Sequence, residues 1–138
     1  MTVDSEAIFA VADAEGSRAA PLEELCGSMA TAWLDEERPE LILARGMGRP
    51  LWIGTASGAL FFASTRHALE LAERYTDLKL RKRELPIGRV IAVEDGKVVA
   101  RASFRPDMSF VEADPLPAVR APHERDATLA RLAALHAA

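Results

Sequence analysis

Apolar and polar positions along this chain fall into short blocks, and the spacing inside each block predicts its element. Residues 4–14 place Ile8, Val11 and Ala12 at i, i+3 and i+4, the signature of one helix face. Asp4 or Ser5 can cap that helix, and Glu6 in its first turn suits the helix dipole. Gly16 and Ser17 break it, and a second helix is expected over 21–26, opened by Pro21 and closed by Gly27. The pattern then shortens. Residues 28–34, 40–46, 51–57 and 59–64 are apolar runs bounded by Gly, Pro and acidic turns, which reads as strands joined by hairpins. Residues 51–62 are apolar almost throughout, as in strands buried on both faces.

A single helix interrupts the strands over 65–75. Ser64 or Thr65 caps it, Leu69 and Ala72 face one way, and Glu70 and Arg74 are spaced to pair. Strands resume at 78–85, where apolar and basic residues alternate, and at 89–95 and 97–104, joined by Asp95-Gly96, a strong hairpin signal. Residues 105–123 hold Pro106, Pro115, Pro117 and Pro122 with little periodicity and read as a linker or arm. Residues 124–138 space Leu129, Leu132 and Leu135 as a final helix. The order predicts an α+β fold, an antiparallel sheet with helices on one face. Its all-apolar strands ask for cover on the other face too, and few elements remain to supply it.

Composition narrows the function classes. The 138 residues carry 17 Lys and Arg against 21 Asp and Glu, a net charge of −4, which gives no electrostatic case for nucleic acid or an anionic membrane. At this length one domain is expected. One cysteine forms no internal disulfide, no apolar run is long enough to span a bilayer, and the acidic N-terminus is unlike a signal peptide, so a cytoplasmic location is expected.

Four places invite a chemical reading, and each has a plainer one. Cys26, near the end of a predicted helix, is poorly placed for a thiolate and is expected to be a small buried core residue. Ser64 and His67 suggest a nucleophile and base, yet a capping hydroxyl explains the same letters and no third group orients the imidazole. Gly46-Met47-Gly48-Arg49-Pro50 precedes a strand, unlike a phosphate-binding loop, and is expected to be a turn. Arg81, Lys82 and Arg83 form a basic run that a solvated strand explains. The three histidines are scattered without metal-ligand spacing, and no cofactor motif is present.

Several motifs, in one consistent order over about residues 3–104, resemble class II glutamine amidotransferases. RPLWIGTASGALFFASTRHAL (49–69) resembles the family's turn, apolar strand, Gly-bearing hairpin, second strand ending in Ala-Ser, and short helix. Residues 25–34 resemble its helix ending in Gly and the strand that follows, and ELILARG its next strand. LPIGRVIAVEDGKV resembles the closing strands, and Val3-Asp4-Ser5-Glu6 resembles the Thr-Asp-Thr/Ser-Glu motif. The nearest relatives implied are the glutaminase domains of glucosamine-6-phosphate synthase and amidophosphoribosyltransferase.

The resemblance implies half of the αββα sandwich of N-terminal-nucleophile hydrolases, over residues 1–104. It implies L-glutamine as ligand, with Asp4 contacting its α-ammonium group, a role compatible with capping a helix. The family's nucleophilic cysteine, the Arg that clamps the substrate carboxylate and the Asn-Gly oxyanion hole have no counterpart here. Cys26-Gly27 copies the family's opening letters but aligns with the end of the second helix. The expectation is therefore a C-terminal half-domain, inactive alone, with no catalytic residue and no metal of its own. Half a sandwich leaves an apolar sheet face open. Its cover is expected to be a separately encoded first half, a second copy of this chain, or the C-terminal arm and helix. The alternative is a non-catalytic α+β module that dimerises or binds a protein through that face.

Overall fold

The computed structural model describes residues 19–34 and 38–109. The helices expected over 4–14 and 124–138, and most of the Pro-rich stretch, lie outside the described residues. Seven strands follow a short 3-10 turn at Ala20–Glu24: β1 (Ala30–Leu34), β2 (Leu41–Arg45), β3 (Trp52–Ala56), β4 (Ala59–Ala63), β5 (Arg81–Glu84), β6 (Arg89–Glu94) and β7 (Lys97–Ser103). One helix, α1 (Arg66–Thr76), sits between β4 and β5. The fold is α+β, and every expected strand within the described residues is present.

The strands form two antiparallel sheets, ordered β1-β2-β6-β7 and β4-β3-β5. The alternation of side chains explains why they stack. In β2 and β6, Ile42, Ala44, Val90 and Ala92 point to one face, where Leu22, Met29 and Phe104 cover them. Leu43, Ile91 and Val93 point to the other and pack on Leu51, Ile53 and Leu85 of the second sheet. The open face expected of half a sandwich is therefore absent at the central strands: the chain's own three-stranded sheet covers it. The reason is topological, since the strands expected to make one sheet divide between two.

The doubly buried strands also differ from expectation. They are β2 and β6, while β4 is an edge strand on which Phe62 is exposed. On the outer side of the three-stranded sheet, α1 presses Leu69 against Gly54. A Cβ there would stand 3.1 Å from Leu80 Cδ1 and 3.4 Å from Leu69 Cδ1. The Asp95-Gly96 hairpin forms as expected, with φ of 48° and 70°, the left-handed pair a two-residue turn requires.

Candidate functional site

Asp4, the residue expected to bind substrate, lies outside the described residues. Cys26 is exposed, not buried. The 3-10 turn ends at Glu24, and Leu25 takes an extended conformation that packs it onto the core. Alternation then turns Cys26 outward. Its thiol lies near the Asp107 carboxylate. Asp107 Oδ1 accepts from Ser109 Oγ at 2.6 Å and Ser109 N at 2.9 Å. These donors, the Ser109 hydroxyl foremost, hold the Asp107 carboxyl below its usual range. A carboxylate already accepting two hydrogen bonds from Ser109 is arranged as a local brace.

Thr65, rather than Ser64, caps α1: its Oγ1 accepts from Ala68 N at 3.2 Å. His67 Nδ1 lies 3.8 Å from Glu70 Oε2, and among the described residues no hydrogen bond joins it to Ser64. Glu70 pairs backward with Arg66 at 3.0 Å, where pairing with Arg74 was expected. These exposed groups do not form a nucleophile and base. The Gly46–Pro50 turn folds over Ser28 and Met29. Met29 N donates to Met47 O at 2.9 Å and Gly46 N to Met29 O at 2.8 Å. Gly48, at φ 71°, leaves room for the Ser28 hydroxyl, which is buried without a hydrogen-bond partner among the described residues.

Two polar constellations were not legible as sites in the sequence. Arg45, at the end of β2, reaches across to the second sheet. Nη1 donates to Leu85 O at 2.6 Å, Nε to Arg49 O at 3.1 Å, and Nη2 pairs with Glu84 Oε1 at 2.9 Å. Arg45 thus joins the two connections that cross between the sheets. Glu73 of α1 accepts from Leu80 N at 2.7 Å and pairs with Lys82 Nζ at 2.5 Å. The Lys82 hydrogen bond, then that of Leu80, holds its carboxyl below the usual range. Beside it, Glu70, Arg74, Asp77, Lys79 and Lys82 line an open, mixed-charge depression of about 550 Å³. Both constellations fasten elements together. Among the described residues no group of His, Cys, Asp or Glu is gathered to hold a metal, and no helix is long and apolar enough to cross a membrane.

A family model for the glutamine amidotransferase domain matches residues 1–71. The chain belongs to this family. No curated protein matches it, and no solved structure does. The glutamine amidotransferase match takes in Asp4, Cys26, the β1–β4 strands and the start of α1. It ends before β5, β6 and β7, which complete both sheets in the structure.

Proposed function

We propose that this chain serves glutamine hydrolysis of the class II, N-terminal-nucleophile type, supplying scaffold and the substrate-ammonium contact to an active site that the cysteine of a separate first-half segment completes. The match to the glutamine amidotransferase domain over residues 1–71 carries this reading. The two face-to-face sheets are layers of the kind the resemblance implies, although this chain supplies both of them rather than leaving one to a separate half. The described residues add a chemical argument. Amide hydrolysis through a thiolate needs a base beside the sulfur and preorganised donors aimed at the developing oxyanion. Cys26 has instead a carboxylate already occupied by Ser109. Asp4 acts by pairing its carboxylate with the α-ammonium group of glutamine.

The test is glutamate release from glutamine, by the chain alone and mixed with a glutaminase first-half segment that begins with cysteine. Activity is expected only in the mixture. There, Asp4→Ala should raise the glutamine KM about tenfold, as loss of one charge-assisted hydrogen bond implies, with kcat little changed. Unchanged glutamine kinetics would remove Asp4 from the site. Hydrolysis by the chain alone, abolished in Cys26→Ala, would overturn the division of labour and make Cys26 the nucleophile.

A further inference from the structure

Among the described residues the two sheets are unequal, four strands against three, and a contact between hairpin tips helps to locate the surplus strand. The Asp95-Gly96 turn stands against the backbone of Gly58 and Ala59, so close that a Cβ on Gly96 would lie 2.8 Å from Ala59 Cα. At this end the β3–β4 hairpin therefore lies beneath the β6–β7 hairpin. Arg45 of β2, reaching Leu85 O and Glu84, sets β5 beneath β2, and in that order β1 has no described strand beneath it. Leu34 records the overhang. It sits opposite Leu41, on the face turned toward the other sheet, yet it is 73% exposed. Among the described residues the overhanging β1 and the outer edge of β5 make a step.

The chemistry of the step is specific. β5 pairs with β3 alone, so one row of its backbone N–H and C=O groups has no strand beside it among the described residues. Its side chains alternate. Lys82 stands opposite Gly54 on the helix side, where Glu73 neutralises it. Arg81 and Arg83 stand opposite Thr55 and Ile53 on the inward side, and both are exposed. In a chain of net charge −4, two like cations at alternate positions of one open edge are a local exception.

We propose that this step seats one extended acidic segment of a partner polypeptide, which adds to β5 as a fourth strand with carboxylates opposite Arg81 and Arg83, beneath Leu34. Strand addition satisfies the open backbone row, and opposite charges directly across a strand pair are favourable. A second copy of the chain fits poorly, because joining two β5 edges sets arginines against arginines. The inference does not depend on the glutaminase reading.

The experiment uses the full chain and a fluorescent seven-residue peptide of alternating Val and Glu, with an alternating Val and Lys peptide as control. Anisotropy should show binding of the Glu peptide alone, weakened by salt. The Arg81→Ser/Arg83→Ser double variant should bind it about tenfold more weakly, the sum of two cross-strand charge pairs. Amide exchange should slow at residues 81–84. Leu34→Glu, at an exposed position, should also repel the peptide and provides a second reading should the double variant misfold. No binding, equal binding of the Lys peptide, or an unchanged double variant overturns the proposal. Protection of residues 81–84 that accompanies self-association in sedimentation also overturns it, in favour of a second copy.

Discussion

The four-stranded and three-stranded sheets hold themselves together by different means. The central strands of the first are aliphatic on both faces: Ile42, Leu43, Ala44 and Ile91 are all at most 1% exposed. The second turns only an aliphatic patch, Leu51, Ile53, Leu60 and Leu85, to its partner, and its other face is fastened to α1 by a glycine contact and a charged brace. A strand covered on both sides by apolar groups has no tolerance for lost volume. A sheet fastened to a helix by carboxylate and ammonium answers to pH instead.

The sharpest way to break this contrast is Leu43→Ala. It removes a side chain at 0% exposure from the layer between the sheets and should cost about 2–5 kcal/mol by chemical denaturation. A cost under 1 kcal/mol would mean that the sheets are not packed through Leu43. The second test is Glu73→Gln across pH. The Glu73 carboxyl is held below its ordinary value of 4.5, so its contribution is fully present above that value. The contribution is lost as pH falls through the lower folded-state value. The wild-type protein should therefore be the more stable at neutral pH, and the two melting curves should converge in acid. A pH-independent gap would assign the loss to packing rather than ionisation. The smallest effect is expected from Ser28→Ala. The buried Oγ has no partner among the described residues, so its removal forfeits no hydrogen bond seen there and should leave stability unchanged or raised by about 0–1 kcal/mol. A marked loss would reveal an acceptor or donor serving that hydroxyl.

The strands were readable in the sequence because Gly, Pro and Asp-Gly turns bound them so clearly. Residues 97–104 begin at a two-residue turn whose positive φ angles Asp, Asn and Gly adopt more readily than other residues, and β7 starts where that turn ends. What sequence pattern does not carry is which strands share a sheet. Residues 51–62 are as apolar as 41–45, yet β4 ends as a half-exposed edge while β2 is buried, because neighbours and not composition decide burial. Cys26 was misread for a related reason: a five-residue 3-10 turn replaced the expected helix, and the change of period reversed which side the thiol faces. Arg45 looked like the polar end of a strand. Its reach to Leu85 and Glu84 spans 40 residues of sequence and leaves no local pattern. Asp4 was singled out only through the resemblance, and it lies outside the described residues.

The order of strands also bears on how the chain assembles. The path leaves the four-stranded sheet after β2, builds all of the three-stranded sheet and α1, and returns at β6 to pair with β2. The β2–β6 pairing is thus the long-range step, and a floppy loop of that length is entropically costly to close. The detour shortens it. Its two ends are held side by side, with Leu85 N donating to Leu51 O at 2.8 Å. Once the local hairpin of β3 and β4 and the return of β5 have formed, β6 is delivered to within a few residues of β2. The search for the central pairing is then nearly as short as that of an ordinary hairpin.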